Sequence, residues 1–469
     1  MKKIVMKFGG TSVATGENIR HVAKMVADIA NQECGVVVVV SALDGVTDEL
    51  LEAAGQAQKE KQEYIKAFKQ RMRDTHCTAI SKAIRSAKLR KEIEHIVQKT
   101  IDELEKVLTG ICYVGELTAK SKDYVLSFGE RLSAPVLWGA ISDLKIKSQY
   151  FTGKEAGIVT DVNFGEANPL LNVTMHQLKE RIDPLLEKNV VPVVSGYIAA
   201  TQDGVVTTLG RGGSDYTATL IGAALGVDEV WIWTDVDGIM TADPKIIPTA
   251  KLLSELSYQE AAEMAIFGAK AMHPRALEPI MKANIPARIR NVFNPKNPGT
   301  LISSNQTTAS NDAVKSVAII KDVAMINING AGMVGAPGSY ARIFDLLGRN
   351  HINVMMISAA VSEANISIVI RRSLLGRALS VLEIALLGKG LISDVAAEDD
   401  VCVVAAMGAN MKGTLGVASR VFTSQARNCV NIRMIAQGSS ELNISFVVKE
   451  KDGKAAVKAI HEEFELDKI

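Results

Sequence analysis

Apolar positions along the first third of the chain switch between strand-like runs and helical spacing. Residues 2–7, KKIVMK, read as a short strand ending near Gly9-Gly10. Residues 17–30 carry apolar side chains at helical period. CGVVVVVSA then reads as a buried strand, being short, β-branched and flanked by Gly35 and Ser41. Strand, helix, strand predicts the start of a parallel α/β sheet. From about residue 47 to 110 the text is charged and lacks strand signals, so it reads as a helical insertion. A further helical pattern runs from Ser121 to Ser142. Buried strands follow at Val190–Ser195 and Glu229–Trp233, with a helix over 215–225 between them. A polar stretch rich in Pro, Asn, Ser and Thr marks a linker at 296–313.

The last third contains an internal repeat. GAGMVGAPGSYARIFDLLGRNHINVMMISAAVSEANISIVI starts at Gly330, and GANMKGTLGVASRVFTSQARNCVNIRMIAQGSSELNISFVV starts at Gly408. Arg342 aligns with Arg420, Phe344 with Phe422, Asn353 with Asn431 and Asn365 with Asn443, without a gap. Each copy reads strand, Gly-rich turn, helix, strand, tight turn, strand, helix, one strand short of a ferredoxin-like βαββαβ unit. The first copy, spanning 322–399, closes with LISDVAA at 391–397. The second, at 400–469, runs out of chain, and KSVAIIK at 315–321 is expected to supply its last strand. Gly330, Gly332 and Gly335 spell GxGxxG, but INVMMIS lacks the acidic residue that a dinucleotide site requires.

Composition narrows the classes. The chain has 469 residues, 47% hydrophobic and 22% charged, which fits a folded protein of about three domains. Its net charge of +1 offers no global field for a polyanion, so no nucleic-acid partner is expected. The longest pure apolar run, Val401 to Met407, is far below the roughly 20 residues of a membrane span, and no signal peptide is read. The 5 cysteines show no zinc or redox spacing, which suits a reduced, cytoplasmic protein.

Five segments offer chemistry. KFGGTS, at 7–12, puts Lys7 beside a glycine pair whose backbone can approach an anion; alone, it also fits an ordinary strand-to-helix turn. TLGRGGSDYTA, at 208–218, sets Arg211, a bidentate carboxylate binder, next to a glycine nest, while Ser214 or Asp215 could serve only as a helix N-cap. WTDVDGIMTADPK, at 233–245, follows a buried strand but lacks the spacing of a calcium loop. SFGERLSA, at 127–134, places Glu130 and Arg131 in an apolar helix, either as an internal ion pair or with a carboxylate that recognises an amine. FGAKAMHP, at 267–274, presents Lys270 in a turn.

Together and in this order, these segments resemble the signatures of aspartate kinases in the amino acid kinase family, and the two repeats resemble paired ACT domains. The resemblance covers nearly the whole chain and implies a monofunctional enzyme, with no fused homoserine dehydrogenase. It implies an amino acid kinase domain over 1–295, with an open, mostly parallel sheet between helix layers, followed by two ACT domains. The implied reaction is MgATP plus L-aspartate giving 4-phospho-L-aspartate and ADP, the entry to lysine, threonine and methionine synthesis. Mg2+ would travel with ATP rather than in a dedicated protein cage.

By the same resemblance, Lys7 lies beside the transferring phosphoryl group and Gly9-Gly10 help to cradle it. Asp215 orients Lys7 and helps to hold the Mg-nucleotide. Arg211 grips a substrate carboxylate, Glu130 takes the ammonium, and Ser41, Thr47 and Ser214 complete the aspartate site. Thr234, Asp235, Met240, Lys245 and Lys270 become nucleotide contacts. Met240 and Lys245 stand where tyrosine and arginine are common, so adenine packing loses a rigid ring and a planar fork. Threonine, lysine or both are the expected effectors, with Met333, Gly335, Asn353, Ser362, Glu363 and Asn365 as candidate contacts. A homodimer or higher homo-oligomer through the ACT domains is expected.

Overall fold

The run Gly35–Val40 is buried at every position, as a strand covered on both faces must be. In the computed structural model, which describes residues 2–268, 272–304, 313–362, 364–387 and 392–468, it lies inside an eight-stranded sheet. The order across that sheet is Ser148–Phe151, Val191–Ser195, Gly35–Val40, Lys3–Phe8, Glu229–Thr234, Ala287–Asn291, Thr300–Ser303 and Glu255–Ser257. All neighbours are parallel except Ala287–Asn291 with Thr300–Ser303.

Alternation along the strands separates two helix layers. Ile4, Met6 and Phe8, with Val36, Val38 and Val40, share one core with helices Gly16–Ala30 and Phe128–Asp143. That core extends into the insertion, whose helices are Val46–Gln58, Gln62–Ala83 and Ala87–Val114. Helices Leu171–Glu187 and Gly213–Leu225 meet the sheet as the second layer, and Pro274–Ala283 packs on Gly213–Leu225. The parallel strands end in register, Phe8 opposite Val40 and Trp233, and Val40 opposite Ser195. Their following loops therefore share the carboxyl edge of the sheet, where open α/β sheets bind ligands.

The chain divides into two compact units. One comprises 1–239, 254–258 and 270–306; the other comprises 240–253, 259–269 and 307–469. The second unit holds a six-stranded antiparallel sheet, ordered Val354–Ala359, Asn365–Arg371, Ser316–Asn329, Asp394–Met407, Asn443–Lys449 and Met434–Ala436. Its two central strands are each 14 residues long and serve both repeats. Ser316–Ile320 pairs with Val403–Met407, and Val323–Asn329 runs opposite Asp394–Val401 across a register shift. Helices Ser339–Arg349 and Leu375–Leu386 pack beneath the first repeat, and Val417–Arg427 and Gly453–Glu463 beneath the second. The GxGxxG turn thus leads from Ser316–Asn329 to Val354–Ala359, which are not neighbours: antiparallel Asn365–Arg371 lies between them, unlike the adjacent parallel pair of a dinucleotide fold.

Two expectations change. The span 296–313 is not a plain linker: Thr300–Ser303 is a strand of the large sheet, and 305–312 lies outside the described residues. Only Leu301 and Ile302 in that strand are apolar, too short a signal beside Pro298 and Gly299. Nor is 1–295 one compact body, because 240–253 and 259–269 fold with the repeats.

Candidate active site

Lys7 sits near the end of the first strand, where alternation sends Phe8 and Met6 into one core and Lys7 to the opposite face. There its Nζ meets Asp215 Oδ1 at 2.5 Å, with side chains 12% and 15% exposed. Among the described residues that oxygen accepts no regular hydrogen bond, so the ammonium is its partner. Asp215 lies in the first turn of helix Gly213–Leu225, where the helix dipole favours a negative charge. The cap itself is Gly212, in the left-handed region at φ 71°, and no side chain caps the helix. Ser214 and Asp215 are therefore free of the capping role. A Cβ at Gly212 would also fall 2.5 Å from His273 Cβ, so the Arg-Gly-Gly sequence is set by space as well as by φ.

Glu130 and Arg131 part company. Adjacent residues do not face each other on a helix. Arg131 turns outward, pairing with Glu103 of the insertion at 2.7 Å and lying over the Phe128 ring at 4.3 Å. Glu130 turns inward and is 4% exposed. Gly129 permits this, since a Cβ there would stand 2.8 Å from Ala42 Cβ. Ser133 completes the packing by donating its hydroxyl to the Ser41 carbonyl at 2.7 Å. Among the described residues, the buried Glu130 Oε2 has no hydrogen-bond partner. Burial lifts its carboxyl to about 8, against a backbone hydrogen bond at Ala42 and the Lys7 charge.

These groups surround one open cavity of about 550 Å³, which the carboxyl-edge loops line with Lys7, Gly10, Ser41, Thr47, Glu130, Arg211, Ser214 and Asp215. Arg211 is exposed and, among the described residues, makes no ion pair. Gly10 lies so close to the next loop that a Cβ would sit 3.2 Å from the Ala42 carbonyl. Gly9 adjoins Lys7 Nζ, but its amide donates to the Trp233 carbonyl at 3.3 Å, so that N–H serves the sheet rather than a ligand.

Thr234 ends the neighbouring strand and Asp235 follows it, hydroxyl to carboxylate at 3.1 Å, outside the cavity lining. Met240 and Lys245 belong to the second compact unit. Lys270 and Glu363 lie outside the described residues. In the first repeat, Met333 and Gly335 line a pocket of about 480 Å³ with Ser339 and Tyr340. Asn353 and Ser362 are exposed outside that lining, and Asn365 donates its amide to Asn329.

Tyr197 escaped the sequence reading. It lines the cavity with φ 66°, an outlier for an aromatic residue, which the Thr217 hydroxyl holds by accepting its amide at 3.1 Å. Burial pushes its phenol up to about 12, so it stays a donor at neutral pH. The only local hint was a bulky residue following Gly196 at a strand end.

Residues 2–291 match the amino acid kinase family, and residues 326–386 and 404–464 each match the ACT domain. The chain belongs to the amino acid kinase family. Aspartokinase 1, chloroplastic, of Arabidopsis thaliana is 33% identical over 98% of this chain and 80% of its own length. Bifunctional aspartokinase/homoserine dehydrogenase 1, chloroplastic, of Zea mays is 34% identical over 99% of this chain. The chain spans about half the length of such bifunctional relatives. Among solved structures, it is similar to E. coli aspartokinase III in complex with aspartate and ADP, with a TM-score of 0.81 and 28% identity over 98% of this chain and 99% of that one. The same enzyme in complex with lysine and aspartate gives 0.79 and 27% over 99% and 100%.

Proposed function

We propose that the protein is an aspartate kinase, transferring the γ-phosphoryl group of ATP to the side-chain carboxylate of L-aspartate. The observation that carries this reading is the buried Glu130 carboxylate, whose Oε2 has no hydrogen-bond partner among the described residues, in a cavity that Arg211 also lines. An α-amino acid supplies the two missing charges, an ammonium for Glu130 and a carboxylate for Arg211.

The nucleophile is already ionised at neutral pH, so no side chain need act as its base. A carboxylate oxygen of aspartate forms the new bond to the γ-phosphorus, and the β–γ bridging bond breaks, its electron pair leaving with ADP. The obstacle is the approach of two anions, so positioning and charge neutralisation do the catalysis. Lys7 supplies positive charge near the transferring group, and Asp215 holds that ammonium in place. The Asp215 carboxylate is a hard oxygen donor that would help to hold Mg2+ with the nucleotide, and that ion would supply further neutralisation. Thr234 and Asp235 at the carboxyl edge are proposed nucleotide contacts.

Regulation by an end-product amino acid is part of the proposal. The pocket of the first repeat offers the helix start at Ser339, and E. coli aspartokinase III has been solved with lysine, which makes lysine the first effector to try.

The test is ADP release from the full chain with MgATP, with and without L-aspartate, and with lysine or threonine added. Aspartate-dependent turnover is expected, with Lys7→Ala lowering kcat by roughly 10²-fold or more. ATP binding without aspartate-dependent turnover would sink the reading.

A further inference from the structure

Asp123, on helix Ala119–Leu126, has no exposed surface. Burying a carboxylate is costly unless donors surround it. Its Oδ2 accepts from the Gly165 amide at 3.0 Å and the Thr208 amide at 2.9 Å, and its Oδ1 accepts from the Thr208 hydroxyl at 2.8 Å. The group thus holds two segments remote in sequence through backbone amides and one hydroxyl.

Both segments run directly into the candidate active site. Gly165 and Glu166 line the cavity, as do Gly210 and Arg211 just beyond Thr208. The two are tied to each other as well: Ala167 N donates to the Thr208 carbonyl at 3.0 Å, and a Cβ on Gly210 would fall 3.0 Å from Glu166 Cγ. On its other side, the helix of Asp123 leads through Ser127 into the helix that carries Glu130. Tyr197 lies against this cluster, its phenol feeling the Thr208 side chain and the Glu130 and Asp123 charges.

We propose that Asp123 is a positioning residue for the amino-acid substrate. By joining the element of Glu130 to the loop of Arg211, it fixes the gap between the ammonium-binding and carboxylate-binding groups, and so selects the head of an α-amino acid. This rests on the aspartate kinase reading. On that reading the two groups hold the amino acid rather than the nucleotide, so loss of Asp123 is expected to act on aspartate and spare ATP.

The experiment compares Asp123→Asn, Thr208→Val and Thr208→Ser with wild type in the full chain, reading kcat, both KM values and Tm. Asp123→Asn keeps the shape but turns an NH2 group toward the Thr208 hydroxyl. Its KM for aspartate is expected to rise by about tenfold or more, the scale of a weakened hydrogen bond to a charged group, while KM for ATP stays near wild type. Thr208→Val should move the same constant in the same direction, and Thr208→Ser, which keeps the hydroxyl, should restore it. An unchanged KM for aspartate in folded Asp123→Asn overturns the proposal. So does a joint loss in kcat and both KM values that follows Tm, since that marks a merely structural role. If Asp123→Asn does not fold, an unchanged aspartate KM in Thr208→Val overturns it. Wild-type protein without aspartate-dependent turnover removes the kinase reading and this inference together, whereas normal wild-type turnover with a normal Asp123→Asn removes this inference alone.

Discussion

At the scale of single residues, Glu130 makes the most specific prediction. With its carboxyl lifted to about 8, the empty site holds a proton there at neutral pH. The substrate ammonium needs the ionised form. Binding aspartate near pH 7 therefore expels a proton, and affinity improves as pH rises through about 8. Titration calorimetry in buffers of different ionisation enthalpy should show close to one proton released per aspartate near pH 7, fading at higher pH. KM for aspartate should fall several-fold over the same interval, and Glu130→Gln should remove both effects along with most of the affinity. A wild-type KM that is flat with pH would contradict this account of the ammonium site. The residue types of this site were legible in the sequence, because Lys7, Glu130, Arg211 and Asp215 are each an unusual charge within an apolar or Gly-rich setting. Asp123 and Tyr197 were not. One is an ordinary charge in the helix AKSKDYVL, and the role of each depends on chain segments that meet only after folding.

Elements show why the motifs contain the small residues they do. The helix Phe128–Asp143 presses on the loop at Ala42 through Gly129, and the backbone at Ala42 hydrogen-bonds the Glu130 carboxylate. Gly129→Ala should gain about 1 kcal/mol of helix propensity. It should lose about 1–3 kcal/mol to overpacking against Ala42. Stability is then expected to change little or to fall modestly in a thermal melt. KM for aspartate should still rise about tenfold, because the helix can relieve the clash only by drawing Glu130 away from Ala42, at about 1.4 kcal/mol per tenfold. A wild-type KM would show that the helix absorbs the methyl group elsewhere. Strong periodic runs revealed most elements, including Lys3–Phe8, Gly35–Val40 and the insertion helices. Weaker ones misled: Ser121–Ser142 read as one helix but is two, Ala119–Leu126 and Phe128–Asp143, meeting at Ser127, whose hydroxyl donates to the Tyr124 carbonyl at 2.7 Å. Local pattern cannot reveal such a break, since the apolar period continues across it.

For the whole molecule, the order of the chain and the order of the fold disagree, and that disagreement is testable. Residues 240–253 and 259–269 interrupt the sequence of the first unit yet are built into the second. Ala242 and Ile247 share a core with Val317, Phe464 and Leu466. Thr241 accepts the Val317 amide at 2.8 Å on its carbonyl, and its hydroxyl meets buried His461 at 3.1 Å. Glu260, 1% exposed, pairs with Lys315 at 3.1 Å and accepts the Ala409 amide at 2.9 Å. Glu263 accepts from the Asn443 side chain at 2.6 Å. Nothing in the sequence of 240–269 announces partners so far along the chain, and reading domains from composition therefore drew a boundary near 296. A fragment ending at Ser304 would strip every one of these partners away, baring apolar side chains and backbone groups that the second repeat now satisfies. It is expected to aggregate, or to remain soluble with amides 240–253 and 259–268 unprotected in hydrogen exchange and its Tm lowered. Size-exclusion chromatography and exchange mass spectrometry on the fragment and the full chain decide the matter. A monodisperse fragment with full-length Tm and protection would mean that these segments fold with the first unit when left alone, and that the two-unit division follows proximity rather than dependence.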